Sequence, residues 1–342
     1  MNRKLSQSGF TLIELMIALV LGLFIVGATS SLFLSNSQTL RTTESLSRIQ
    51  ENARSAFELM SRDIREAGGT PCGRNLPVAN TLNNSPSTGG SAWWADWGLS
   101  MRGYSGTDNF PPAPSSGVGT RVAGTDAIIT MNGAGSGLTV DEHNASSAQF
   151  KLNISNHGIN SGDILLVCDF EQASIFQVTN ANQNNTTIVH NTGSETPGNC
   201  SKGLGYASPM DCSTNGTPKT YGQNSTVVRL NVSAWHIGCN TRFDCTLPEG
   251  RSLYFTNLGQ VNTNTPNMVE VIDGVNSMSM RYLTTGGTNY VTATNITNWN
   301  TVTAVEINFE LAGVEAGATT GAANDRLNRN MSHVVTLRNR VQ

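Results

Sequence analysis

Gly9-Phe10-Thr11-Leu12-Ile13-Glu14 begins an apolar run that extends to about Leu34. A membrane span needs about 20 consecutive apolar residues, and this run is long enough to form one. Glu14 interrupts the run near its start, and a carboxylate placed in hydrocarbon costs roughly 3 kcal/mol or more. The sequence therefore predicts a transmembrane helix over residues 10–34 and marks Glu14 as a candidate functional residue.

The leader before this run differs from a secretory signal peptide. A signal peptide is cleaved after its apolar segment, whereas the small residue available here, Gly9, comes before it. Cleavage after Gly9 would leave the helix on the mature protein, with a new α-amino group on Phe10 close to Glu14. Arg3 and Lys4 precede the helix, so the positive-inside rule keeps the N-terminus cytoplasmic and exports the rest. A plain signal anchor is the alternative interpretation.

The junction Gly9-Phe10-Thr11-Leu12-Ile13-Glu14-Leu15-Met16 resembles the class III leader of type IV prepilins and type II secretion pseudopilins. The resemblance implies an α+β, pilin-like fold, with a long N-terminal helix followed by an antiparallel β-rich globular head. It also implies that a prepilin peptidase cuts between Gly9 and Phe10 and N-methylates Phe10. Glu14 would neutralise the N-terminal amine of a neighbouring subunit, or assist its docking, during assembly.

The pattern becomes amphipathic over residues 35–67. One helical face carries apolar residues at steps of three and four: Leu46, Ile49, Ala53, Phe57, Met60, Ile64 and Ala67. The other positions hold mostly alternating acidic and basic side chains, which is typical of a solvated helix face. Gly68-Gly69 ends the helix, so the sequence predicts a leader at 1–9 and one helix at 10–67. The mid-helix proline of many major pilins would fall near Ser31 and is absent.

Residues 68–120 are rich in proline, glycine and serine, which predicts an irregular loop region. Trp93, Trp94 and Trp97 interrupt its polarity. A loop of this length is uncommon unless it is functional or packed on something. Two interpretations of the tryptophans are open: a small apolar core, or an anchor patch for a partner subunit, because tryptophan is enriched in such anchors.

Residues 121–342 predict a β-rich head domain. Short runs bounded by Gly, Asn and Asp, several of them alternating, indicate antiparallel strands at 127–131, 148–154, 163–168, 174–178, 186–189, 226–237, 252–255, 268–272, 275–283, 305–311 and, as a last edge strand, 334–338.

The chain has six cysteines, an even number that implies disulfides in an exported domain: Cys72, Cys168, Cys200, Cys212, Cys239 and Cys245. Six cysteines allow fifteen connectivities. Proximity favours Cys239–Cys245 and Cys200–Cys212, and elimination leaves Cys72–Cys168. The spacings contain no CxxC, so no zinc site is expected.

Signatures of catalysis and cofactor binding are missing from the sequence. It contains no GxSxG elbow, no P-loop and no HExxH. Asp141-Glu142-His143 could ligate a metal, but a surface turn is the favoured interpretation. The net charge of −3 gives no nucleic-acid footprint. We expect no enzyme, no metal and no cofactor.

Three segments of the head are similar to the PilW-type minor pilins: residues 162–169 (Gly162-Asp163-Ile164-Leu165-Leu166-Val167-Cys168-Asp169), residues 268–275 (Met268-Val269-Glu270-Val271-Ile272-Asp273-Gly274-Val275) and residues 336–340 (Thr336-Leu337-Arg338-Asn339-Arg340). This resemblance implies a minor pilin of the type IV pilus that joins a priming and tip complex, initiates assembly and supports twitching and adhesion. Its partners would be the prepilin peptidase, other minor pilins, the major pilin, the inner-membrane assembly platform and a PilY-type tip adhesin.

The expected location is the inner membrane before assembly, with the head in the periplasm, and the pilus tip at the cell surface afterwards. Two alternatives are open. One is a J-type pseudopilin of type II secretion, which has the same architecture. The other, from a different class, is a membrane-anchored periplasmic enzyme or binding protein.

Overall fold

The structure is a computed structural model that describes residues 9, 11–193, 196–258, 267–313, 316, 319 and 326–340. The chain divides into two compact units, one made of residues 1–50 with 313–328 and the other of residues 51–312 with 329–342.

One long helix, α1, covers Leu12–Glu66. In the first unit its large apolar side chains from Leu12 to Leu34 are 54–78% exposed. By length and composition the helix can cross a membrane. Gln38 Nε2 donates a hydrogen bond to the Thr319 carbonyl at 2.8 Å. The apolar side chains that the sequence assigns to a membrane are thus exposed to solvent, with no other part of the described chain covering them.

In the second unit the helix packs through the apolar face predicted from its periodicity. Met60 and Ile64 are buried, and the Phe57 ring lies 5.0 Å from that of Phe309. Polar contacts also join this part of the helix to the sheet: Trp235 Nε1 donates to Asp63 Oδ2 at 2.8 Å, and Asn132 Nδ2 donates to Glu66 Oε2 at 3.0 Å. Most other charged positions of the helix are exposed, as expected for a solvated face.

Glycine ends α1, as the sequence predicts. Gly68 adopts a left-handed φ of +70°, which glycine accepts without a side-chain clash. Its amide donates to the Met131 carbonyl at 2.8 Å, so the end of the helix is tied directly to the sheet.

The described residues form fourteen strands: β1 Val78–Asn80, β2 Met101–Tyr104, β3 Ala127–Asn144, β4 Gln149–Leu152, β5 Ile164–Cys168, β6 Ala173–Gln177, β7 Asn180–Ala181, β8 Thr187–Val189, β9 Thr226–Cys239, β10 Arg251–Asn257, β11 Asn267–Asp273, β12 Val275–Thr284, β13 Val302–Ala312 and β14 Asn328–Thr336. The α+β class, a long apolar helix followed by a β-rich head, is confirmed.

Eleven of these strands make a large sheet with the order β1-β6-β5-β9-β3-β4-β8-β7, while β2 pairs with β3 and β10 pairs with β9 and β11. Its centre is the antiparallel β3–β9 ladder, from Ala127 opposite His236 to Thr139 opposite Thr226. The short β1 pairs with β6 in parallel, a departure from the antiparallel pattern that the sequence predicts. A smaller sheet has the order β12-β13-β14.

Strand β3 is much longer than the predicted strand 127–131. The sequence Gly133-Ala134-Gly135-Ser136-Gly137 looks like a turn, but the strand continues through it with a register shift between Gly135 and Leu138. Glycine suits such an irregularity because a bulge demands unusual backbone angles, and Gly137 has a φ of +72°. The prediction of a surface turn at Asp141-Glu142-His143 is wrong, because β3 continues through these residues.

The two sheets meet at the start of β3. The Asp126 amide donates to the Met278 carbonyl at 2.8 Å, and the Met280 amide donates to Asp126 Oδ2 at 2.7 Å. Next to this junction Gly103 of β2 lies against the Tyr282 hydroxyl. Desolvation is the largest influence on Asp126 and raises its pKa. Close packing, with two hydrogen bonds, therefore holds the small sheet on the large one.

The region predicted as irregular loop, 68–120, contributes β1, β2 and three short 3-10 helices. Trp94 is buried in the apolar core of the large sheet, and Trp93 and Trp97 pack against that core while partly buried. Of the two interpretations, a local core is the one that these contacts support.

Three disulfides are present, in the pairs proposed from the sequence. Cys200–Cys212 and Cys239–Cys245 close short loops. Cys72–Cys168 joins the segment after α1 to the end of β5, with a Cα–Cα distance of 5.9 Å and a sequence separation of 96. In the chain-entropy model a cross-link that closes a loop of about 100 residues stabilises by about 4.7 kcal/mol.

Candidate functional site

The predicted cleavage junction lies at the start of α1. Gly9 is exposed, and no atom lies within 4 Å of the place a Cβ would occupy. Phe10, the predicted site of N-methylation, and leader residues 1–8 lie outside the described residues. Around Gly9 the described chain therefore places no obstacle to a protease.

Thr11 and Glu14 form a reciprocal cap at the first turn of α1. The Thr11 amide and its hydroxyl each donate to Glu14 Oε2 at 3.3 Å. In return the Glu14 amide donates to Thr11 Oγ1 at 3.3 Å. This is a capping box, in which two side chains satisfy amides that the helix itself leaves unpaired. Thr11 was not among the predicted functional residues, although the pattern Thr-x-x-Glu before an apolar run is the sequence signature of a capping box.

The cap fixes where the carboxylate of Glu14 can act. A negative charge at the N-terminus of a helix is stabilised by the helix dipole, typically by about 0.3–1 kcal/mol. Glu14 remains exposed in this arrangement, so its carboxylate can still accept a hydrogen bond from another chain or form an ion pair with a cation. A cationic amine delivered to the first turn of α1 would meet an acceptor already in place.

The apolar helix face beside this cap needs a nonpolar environment. Fifteen large apolar side chains between Leu12 and Leu34 are each more than half exposed. Soluble monomers rarely expose contiguous apolar patches larger than a few hundred Å². A membrane, or other helices of the same kind, would cover this surface.

The remaining predicted site residues lie elsewhere and serve the head. The six cysteines are all paired in disulfides. Within the described ranges no group of three His, Cys, Asp or Glu side chains could hold a metal ion. Glu142 instead pairs with Lys151 at 2.5 Å, and His143 is buried against His190 with their Nε2 atoms 3.2 Å apart.

One comparison with known proteins bears on this site. Residues 4–30 match the family model of the prokaryotic N-terminal methylation motif. A search of curated proteins found no match to the chain. The matched segment contains the cleavage junction, Thr11 and Glu14 and reaches well into the apolar part of α1, which is consistent with anchoring in the inner membrane. It supports a type IV pilin-like or pseudopilin protein that a prepilin peptidase processes and that assembles with pilus components.

Proposed function

We propose that this chain is a PilW-type minor pilin of the type IV pilus. The observation that carries the proposal is the methylation motif at residues 4–30, followed directly by a bare apolar helix with a capped carboxylate in its first turn. A subunit of a helical fibre needs both parts. Its apolar helix must leave the membrane for a bundle of similar helices, and its Glu14 must meet a partner charge there.

Glu14 supplies the electrostatic part of this step. A lone carboxylate in a nonpolar bundle carries a desolvation cost, and so does the methylated N-terminal amine of an incoming subunit. Bringing the two together relieves both costs at once. Only a subunit docked at the right height along the helix makes this pair, so the charge also selects the register of assembly.

The large head supports a place among the minor pilins, at the tip. The head has two sheets and three disulfides, and a tip subunit needs no space for another subunit above it. Before assembly the chain waits in the inner membrane, with its N-terminus in the cytoplasm and its head in the periplasm. It then joins other minor pilins in a priming complex that initiates the fibre on the assembly platform, presents a PilY-type adhesin, and supports twitching and adhesion. We assign it no catalytic activity.

Complementation of a deletion strain with single variants tests the role of Glu14. Glu14→Gln keeps an oxygen acceptor for the capping box but removes the charge, and Glu14→Ala removes both. Thr11→Val is the matched control because it removes the capping hydroxyl and keeps the charge. We expect Glu14→Gln and Glu14→Ala to lose surface pili and twitching alike, whereas Thr11→Val retains both.

A mass measurement of each purified variant confirms that the leader has been removed, so that a failure to assemble is not a failure of processing. Gly9→Val should keep the leader and give no pili. Normal piliation of the Glu14→Ala strain would refute the proposal. So would a deletion strain that makes pili normally but no longer secretes proteins, since that outcome identifies a J-type pseudopilin.

A further inference from the structure

A polar cleft lies beside the tryptophan-bearing segment of the head. It has a volume of about 590 Å³ and is lined by residues that include Asn75, Ser87, Asp96, Trp97, Tyr206 and Asn300. A neighbouring cavity of about 640 Å³ adds Tyr290 and shares Asn75, Asn300, Asn339 and Arg340 with the first. The two cavities are adjacent, since they share these four lining residues, and together they are called the polar cleft here; each is of a size usual for ligand sites.

Three aromatic rings are distributed along the polar cleft. Tyr206 is 48% exposed, and Trp97 and Tyr290 are partly buried. An aromatic side chain offers a flat apolar body with a polar tip, so it can contact a ligand that is itself both apolar and polar. Trp97 is held by packing against the core of the large sheet, which fixes its ring before any ligand arrives.

Side-chain amides with spare hydrogen-bonding capacity also line the polar cleft. Among the described residues the side chain of Asn75 makes no hydrogen bond. The side-chain amide of Asn300 makes one long hydrogen bond, at 3.5 Å, to the Gly98 carbonyl. Each asparagine amide has two donors and a carbonyl acceptor. The cleft therefore offers both donors and acceptors, which suits hydroxyl groups.

The charges of the polar cleft argue against an anionic ligand. The guanidinium of Arg340 is already hydrogen-bonded within the wall of the cleft. It donates to the carbonyls of Trp299 and Val302 and to Ser100 Oγ. Burial lowers the pKa of Arg340 to about 10. Asp96 contributes the opposite charge, and burial raises the pKa of its carboxyl. Arg74, the other arginine of the cleft, also has a partner within the chain. A phosphate backbone would therefore find no unpartnered arginine fork among the described residues of the cleft, and it would meet the carboxylate of Asp96.

We propose that the polar cleft binds a neutral carbohydrate chain. The faces of the sugar rings pack on Trp97 and Tyr206, with Tyr290 available to a further unit. The amides of Asn75 and Asn300 exchange hydrogen bonds with the hydroxyls. This binding goes beyond the assembly function, because it concerns the ligand of the head and is measured on the purified protein without reference to pili.

Titration of the full processed chain, held in a zwitterionic detergent without a sugar headgroup, tests the proposal. The probes are maltohexaose, cellohexaose, mannotetraose and chitotetraose, followed by tryptophan fluorescence and saturation-transfer NMR. We expect at least one probe to bind with a dissociation constant in the millimolar range or tighter. Trp97→Ala should weaken that binding by roughly tenfold or more, as loss of a central aromatic anchor does.

Trp93→Ala is the matched control, because Trp93 lies in the same segment and packs on the same core but does not line the polar cleft. It should bind as the wild type does. Asn300→Ala alters an exposed side chain and should weaken binding severalfold without affecting the fold.

Three results would overturn the proposal. The first is failure of all four probes to bind the wild type at millimolar concentration. The second is equal loss of binding in Trp93→Ala and Trp97→Ala. The third is salt-dependent binding of a single-stranded oligothymidylate in place of the sugars.

Discussion

At the scale of single residues, Thr11 and Glu14 give the N-terminus two properties through one reciprocal set of hydrogen bonds. The carboxylate caps its own helix, and it stays exposed for a partner. The sequence marks Glu14 as a candidate because an acid in an apolar run is conspicuous, and it marks Gly9 and Phe10 as the cleavage junction before that run; the roles of all three stay predictions. The pattern Thr-x-x-Glu also predicts the capping box, so the role of the Thr11 hydroxyl could have been found from the sequence. Local patterns such as this one can be read without a fold.

Other residues of consequence could not be found from the sequence. Asp63 looks like one more charge on a solvated helix face, yet it accepts a hydrogen bond from Trp235, which is distant in the chain. Desolvation by burial is the largest influence on Asp63 and raises its pKa, while hydrogen bonds from Trp235 and Ser233 oppose the rise. Only the packing of α1 on the sheet creates this environment.

The raised pKa of Asp63 predicts a gain in stability from Asp63→Asn. A carboxyl whose pKa is higher in the folded state than in the unfolded state favours folding at low pH. That contribution is complete below the ordinary value of 3.8 and is lost as the pH rises through the raised value. The asparagine side chain would keep an oxygen acceptor for Trp235 and carry no charge, so the variant should be more stable than the wild type at pH 7.

Denaturant unfolding at about pH 7 and at about pH 3.5 measures the effect. The advantage of Asp63→Asn should shrink at the lower pH, where the wild-type carboxyl is protonated as well. Asp141→Asn, at an exposed position on β3, serves as the control and should change little at either pH. A variant less stable than the wild type at pH 7 would contradict the prediction.

At the scale of elements, the long helix and most strands follow from periodicity. The sequence did not predict β1, β2 and β7, because these strands have only two to four residues and are too short to show alternation. Their pairing is decided by the strands beside them, as in the parallel contact of β1 with β6. The full length of β3 was not predicted either, because the glycines in its middle have the composition of a turn. Sequence patterns locate strands that carry their own signal and miss those that depend on neighbours.

Contacts between elements are the least visible in sequence, and Gly103 is an example. A Cβ at this position of β2 would collide with the phenol of Tyr282, which makes an edge-on contact with Trp299 at 4.9 Å between ring centroids. Gly103→Ala should therefore destabilise the protein by about 1–3 kcal/mol, the usual cost of overpacking.

Gly135→Ala is the matched control for this substitution. Gly135 also lies in a strand, but no atom would touch its Cβ. Thermal or denaturant unfolding of both variants should show a loss for Gly103→Ala alone. Equal stability of the two variants would show that the junction of the sheets yields more easily than its packing suggests.

At the scale of the whole molecule, four buried histidines make the head sensitive to acid: His143, His157, His190 and His236. His143 and His190 face each other through their Nε2 atoms, and His143 Nδ1 accepts a hydrogen bond from the Tyr221 amide at 3.1 Å. His236 Nε2 lies 2.8 Å from the Gly119 carbonyl. The spacing of the histidines in the sequence indicates no metal motif, and their burial gives them a different property. Burial lowers the pKa of His143 and of His236 to about 4, and burial with the neighbouring His143 lowers the pKa of His190.

The sign of the resulting pH dependence follows from these directions. A histidine whose pKa is lowered in the folded state contributes stability above its ordinary value of 6.5 and loses it as the pH falls toward about 4. The head should therefore lose stability between pH 6.5 and about pH 4. The raised pKa values of Asp63, Asp96 and Asp126 oppose this loss in part.

His143→Gln removes the contribution of His143, because glutamine does not titrate, and it also removes the charge that helps lower the pKa of His190. The fall in unfolding free energy from about pH 7 to about pH 4 should be smaller in this variant than in the wild type, by on the order of 2 kcal/mol. His333→Gln, at an exposed site, should keep the wild-type slope. Parallel slopes for the wild type and His143→Gln would contradict the prediction.

The disulfide between Cys72 and Cys168 also decides how the chain carries mechanical load. A pull applied through α1 leaves the helix at Glu66 and reaches Cys72 a few residues later. There the covalent path crosses directly to the end of β5, so a load resisted anywhere beyond Cys168 bypasses residues 73–167. The covalent chain of the tryptophan segment, β2 and β3 therefore carries none of this load, which reaches β3 through hydrogen bonds such as that of the Gly68 amide to the Met131 carbonyl. With the bond reduced, the same pull would pass along the chain from residue 73 onward, so these elements would be loaded before those beyond Cys168.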